Sequence, residues 1–157
     1  LVLGVLFSIN FLLSISGNKI LEILTYFIMV GIVYAAYRMV LQFRDNELGG
    51  YITYSRSFIF ILLSFFYGAL ISSLVKFLYF QFINPEYLAN LFNETMVLME
   101  ELGLSDQEEA LEDNLNTLLR PASFAIQYIW INMLGGVAVG LIMSAFVKKE
   151  KSIFDEE

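Results

Sequence analysis

Four long apolar runs, divided by short polar breaks, dominate the sequence, and a stretch of different character separates the third from the fourth. The runs cover about residues 1–16, 20–42, 56–83 and 122–147. At ~1.5 Å of rise per residue, about 20 helical residues cross the ~30 Å hydrocarbon core of a bilayer. The second, third and fourth runs reach that length unaided. The third exceeds it and is expected to tilt or project beyond the lipid. The first starts at Leu1, without Met or a charged lead-in, and ends in Ser14-Ile15-Ser16. A cleaved signal peptide shows the same short apolar stretch before small residues. A retained helix, lengthened by a missing lead-in, is the expectation here, because four spans give a consistent charge topology.

The breaks carry recognisable local signals. Gly17-Asn18 precedes the second run, and Glu22 falls in its first turn, where the helix dipole favours an anion. Arg38 lies near the far end of that run, within reach of lipid headgroups. Arg44 to Gly50 reads as a loop, since paired glycines permit positive φ and a tight reversal.

Residues 84–121 keep a helical period without continuous hydrophobicity. Asn84-Pro85-Glu86 reads as N-cap, first helical residue and early-turn acid. Leu88, Leu91, Phe92, Thr95, Leu98, Met99 and Leu102 then recur along one face, and Gly103 ends the helix. Ser105 to Glu108 forms a capping box before a second short helix, with Leu111, Leu115 and Leu118 as its stripe. Arg120-Pro121 closes the segment. The predicted fold is all-α: one polytopic membrane domain over 1–157, with four transmembrane helices. A two-helix, acidic, amphipathic extracytoplasmic excursion lies between the third and fourth. The tail beyond Lys148-Lys149 is expected to be solvated.

Composition supports lipid as the solvent. The chain is 58% hydrophobic and 16% charged, with a mean hydropathy of +0.68. A soluble domain is roughly half apolar and about a quarter charged. The net charge of −7 is localised, because most acidic residues lie between Glu86 and Asp113. Arg38, Arg44, Arg56, Lys148, Lys149 and Lys151 would fall on one side of the membrane, and Lys19, Lys76 and Arg120 on the other. Six against three places both termini in the cytoplasm and the acidic segment outside.

Candidate chemistry is sparse. With no basic patch, nucleic acid is not an expected partner. The absence of Cys and His removes thiol catalysis, the commonest general base and the favoured zinc ligands. No catalytic, cofactor-binding or metal-binding residues are predicted. The acidic segment lacks the alternating Asp/Asn loop of a Ca²⁺ site and reads as a solvated face.

Packing residues are easier to nominate. Gly136 and Gly140 form a GxxxG pattern, extended along the same face by Asn132 and Ser144, and Ser64, Gly68 and Ser72 make a matching stripe in the third run. Small residues let helices approach closely, here within one chain or across a homodimer. Lys76 shares the stripe of Ser72 and is the most prominent intramembrane charge. Snorkelling to phospholipid is its expected role, with Glu22 at the same interface as a possible ion partner.

Several local patterns occur together: Tyr37-Arg38, Gly49-Gly50-Tyr51-Ile52-Thr53-Tyr54, Asn84-Pro85-Glu86-Tyr87, Glu100-Glu101-Leu102-Gly103-Leu104-Ser105, and Lys148-Lys149. In that order they resemble the Bacteroidota membrane proteins grouped as domain of unknown function 4199, over nearly the whole chain. The resemblance implies four spans in a bacterial inner membrane and carries over no catalytic residues. It also suggests an envelope glycosyltransferase as neighbour. The leading expectation is a non-enzymatic accessory, anchoring or regulatory subunit of a cell-envelope enzyme or transporter, in contact with membrane lipids. The alternative is a small transporter or channel working as a homodimer.

Overall fold

A computed structural model describes residues 1–103 and 108–150, without the side chains of 108–111. The expected capping box at Ser105–Glu108, the Leu111 position of its stripe and the tail from Lys151 lie outside the described residues. The described helices are α1 (Val2–Ser14), α2 (Lys19–Glu47), α3 (Tyr54–Leu78), α4 (Glu86–Glu101), α5 (Glu108–Leu118) and α6 (Pro121–Val147). A π-helical turn, Tyr79–Ile83, continues α3. Among the described residues every regular element of the protein is therefore helical. Three of its helices, α2, α3 with its π extension, and α6, are long and apolar enough to cross a membrane. The 13 residues of α1 rise only ~20 Å.

Helix ends follow local chemistry, with two departures from the sequence reading. Gly17 adopts φ +66°, and the Asn18 side chain accepts from the Ile20 N–H at 2.9 Å, so the predicted break also caps α2. Contrary to the loop expected from Arg44, α2 runs on through Glu47. Its last turn is held because the Arg44 guanidinium meets Asp45 at 2.7 Å and donates to the Val147 carbonyl at 3.3 Å. The reversal falls instead at Gly49 and Gly50, with φ of +65° and +89°, where a β-carbon would be strained.

The third run is not one uniform α-helix either. Beyond Leu78 it widens into the π turn, closed by the Asn84 N–H on the Tyr79 carbonyl at 2.9 Å. The Asn84 side chain then accepts from the Tyr87 N–H at 3.2 Å, as a cap should, but α4 itself begins at Glu86, with Pro85 just outside it rather than in its first turn. Gly103, at φ +71°, ends α4, and Pro121 opens α6.

The chain divides into two compact units. The first comprises Leu1–Ser72 with the chain from Ile129 onward. Its core joins Leu3 and Phe7 of α1, Ile32, Ala36 and Val40 of α2, Ile61 and Phe65 of α3, and Met143 and Val147 of α6. Phe43 and Phe60 stack at 4.5 Å between α2 and α3. Asn10 donates to the Thr25 carbonyl at 2.9 Å and ties α1 to α2. At one end, Ile52 and Lys149 form an antiparallel bridge, each N–H donating to the other's carbonyl at 2.9 Å. Ile52 is buried beneath it.

The second unit is Ser73–Tyr128. Its centre is aromatic. Phe80, 1% exposed, packs on Tyr79, Tyr87 and Phe124, and Phe124 packs on Tyr128. Such ring pairs favour edge and tilted contacts because their quadrupoles oppose face-to-face stacking. The Ser73 hydroxyl donates to the Ala125 carbonyl at 2.8 Å and fixes the last turns of α3 against the start of α6.

Candidate functional site

In the first unit Gly68, Gly136 and Gly140 each face another helix, and what they face are bulky side chains. A β-carbon on Gly136 would stand 2.7 Å from the Phe65 Cβ, and one on Gly140 would stand 3.0 Å from the Phe58 ring. Gly68 receives Leu3 and Phe7 of α1 rather than α6. Gly4 completes that contact, since a β-carbon there would lie 2.7 Å from the Ile71 Cβ. Helix α3 thus inserts Phe58 and Phe65 into the notches of α6 on one side and accepts α1 on the other.

The remaining nominated residues fall as follows. Ser64 donates to the Phe60 carbonyl of its own helix at 2.7 Å. Ser72 and Ser144 are fully buried, and Asn132 is half-buried. The hydroxyls of Ser144 and Ser57 are both buried without a hydrogen-bond partner, which costs about 1–3 kcal/mol per group. Glu22 and Arg38 lie exposed on α2 in the first unit.

Lys76 belongs to the second unit and is only 3% exposed. Its ammonium sits 4.7 Å from the centroid of the Tyr128 ring. The side chain is enclosed there, in contrast to the extended, headgroup-seeking pose that its position along the helix suggested. A cation over a desolvated ring gains up to about 2 kcal/mol, which offsets part of the cost of burying the charge.

The same unit carries a cleft of about 380 Å³ where α4, α5 and the start of α6 meet. Phe80, Leu88, Phe92 and Leu119 supply its apolar lining, and Asn93, Asn116 and Arg120 its polar one. The amphipathic stripe of α4 is used unevenly. Leu88 is buried and Leu91 and Phe92 are half-buried, whereas Leu98 and Leu102 are 54% and 65% exposed. Among the described residues, no three acidic side chains converge as metal ligands.

The family described as "Protein of unknown function (DUF4199)" has a sequence model that matches residues 1–149. The chain belongs to that family. Comparison with curated proteins and with solved structures finds no match. The DUF4199 description assigns no activity, so any role for a residue rests on the geometry of this chain. Three features of this family member escaped the sequence reading: the notch at Gly4, the Phe58 and Phe65 knobs, and the Ile52–Lys149 bridge. A helix that is apolar all round gives no period to reveal its packing face. The bridge joins residues too distant in sequence for any local signal. Only the Phe58-Ile61-Phe65 spacing hinted at a common face.

Proposed function

We propose that the protein is a non-enzymatic, four-span subunit of a bacterial inner membrane that anchors or regulates a cell-envelope enzyme or transporter. In this reading α1 is the fourth crossing, both termini are cytoplasmic, and α4 and α5 form the acidic segment outside. The observation that carries the reading is the exposed apolar end of the α4 stripe, set in a strongly acidic surround. Nine of the sixteen acidic residues lie between Glu86 and Asp113, and no Lys or Arg occurs from Phe77 to Leu119. Leu98, Leu102 and the neighbouring Val97 stay exposed within it. Exposed apolar groups rimmed by one sign of charge suit a partner that is apolar at its centre and basic at its edge.

The test is isolation of the tagged protein from native membranes in a mild detergent. A membrane-protein partner, an envelope glycosyltransferase among the candidates, is expected to accompany it. Replacing both Leu98 and Leu102 by Glu should reduce that recovery by about tenfold or more, as loss of a central apolar anchor does. Recovery of the protein alone, or an undiminished partner with the double variant, would defeat the proposal.

A second reading, a small transporter or channel working as a homodimer, is favoured by one observation: Lys76 is an enclosed charge on a potential span. The GxxxG face is already occupied by α3 of the same chain, so a dimer would form through another surface. In proteoliposomes, Lys76→Ala and Glu22→Ala are each expected to abolish flux if this reading holds. Absence of flux for every ion and lipid tested with the unaltered protein removes it.

A further inference from the structure

The Ile52–Lys149 bridge does more than close one end of the first unit. It holds the α2–α3 loop against the end of α6 and leaves between them a cleft of about 470 Å³. Gly49, Tyr51, Thr53, Arg56, Lys149 and Glu150 are among its lining residues. We propose that this cleft binds a phosphate group at the membrane surface, presented by an anionic lipid headgroup or by a soluble phosphate.

Several features converge on that chemistry. Arg56 and Lys149 bring two cations to one concavity, and neither has an ion pair among the described residues. The nearby Arg44 is committed to Asp45 and the Val147 carbonyl, so it does not compete for the ligand. Lys149 is doubly placed: its backbone is fixed by the bridge, and its ammonium lies 5.4 Å from the Tyr51 ring centroid. Thr53 stands just before α3, where its Oγ1 accepts from the Arg56 N–H at 3.4 Å and its own hydroxyl proton remains for a ligand. The first-turn amides of α3 add positive potential at the same place.

Glu150 on the lining and Asp45, whose charge reaches Lys149, oppose the ligand and make the site weaker than its cations alone would allow. Two positive side chains, a hydroxyl and a helix N-terminus around one cleft match the needs of a phosphate, which takes charge-assisted hydrogen bonds from several directions. The location also fits a headgroup. The cleft lies where a polar loop joins two long apolar helices, at the end that carries most of the Lys and Arg residues. The inference does not depend on the accessory-subunit reading, which concerns the α4 surface.

Native mass spectrometry of the purified protein in detergent tests it, with short-chain phosphatidylglycerol and inorganic phosphate as separate probes. Removing two charge-assisted contacts through the double variant Arg56→Gln/Lys149→Gln should weaken binding by about tenfold or more. Glu150→Gln should strengthen it, and Lys19→Gln, a basic residue at the other end of α2, should leave it unchanged. Binding of the lipid alone, lost in the double variant, identifies a headgroup site. Inorganic phosphate binding with the same dependence identifies a soluble phosphate. Equal binding of both probes to the unaltered and double-variant proteins overturns the proposal, as does the absence of binding to either.

Discussion

Gly136→Leu is expected to destroy the packing of α3 on α6, while Gly135→Leu, one position earlier, leaves the protein folded. The difference lies in what each new side chain would meet. A β-carbon at Gly136 would stand 2.7 Å from the Phe65 Cβ, an atom that cannot swing away without moving the backbone of α3, and 2.9 Å from its Cγ. At Gly135 nothing lies within 4 Å. Forcing even one or two extra methylenes into a packed contact costs about 1–3 kcal/mol, and Leu adds more than that at the base of the notch. Its better helix propensity returns only ~1 kcal/mol, which then acts unopposed at Gly135. Thermal unfolding in detergent, followed through Trp130, should show a large fall in midpoint for Gly136→Leu and none for Gly135→Leu. Equal midpoints would mean that α3 does not seat Phe65 against α6. Gly140→Ala is the graded case, because the atom it approaches at 3.0 Å belongs to the Phe58 ring, which can shift.

That contrast also shows how far the sequence could be read. The GxxxG spacing pointed to Gly136 and Gly140 because small residues in an apolar helix have few other uses. It could not name their partners, since α3 and α6 are hydrophobic on every face and give no amphipathic period. The sequence pattern matches one small stripe to the other, yet Gly68 turns to α1. The break at Gly17-Asn18, the side-chain cap at Asn84 and the stop at Gly103 were legible because each depends on one or two residues. The end of α2 was not, because its last turn is fixed by the Val147 carbonyl from α6. Lys76 failed for a related reason. Distance along a helix suggests a depth, but the ring that covers its ammonium comes from α6, where Tyr128 lies far along the chain.

The orientation proposed for the membrane makes the sharpest remaining prediction. The protein contains no Cys, so single cysteines report position without background. A cysteine at Glu94, exposed on α4, should react fully with a membrane-impermeant maleimide applied to the outer face of the inner membrane. One at Glu47, exposed at the end of α2, should react only after the membrane is opened. The choice of side rests on charge, and the shared side of the α2–α3 loop and the end of α6 rests on the bridge. Six basic residues would sit on the Glu47 side and three on the Glu94 side, and basic flanks stay in the cytoplasm. In the proposed orientation the Ile52–Lys149 bridge would keep the α2–α3 loop and the end of α6 on one face of the membrane, with α3 and α6 crossing in opposite directions. A cysteine at Glu150 should therefore behave like the one at Glu47. If Glu47 and Glu150 label from outside and Glu94 does not, the charge argument is wrong and the protein is inverted. If Glu47 and Glu150 differ, the bridge itself does not exist in the membrane, and the phosphate cleft built on it is lost as well.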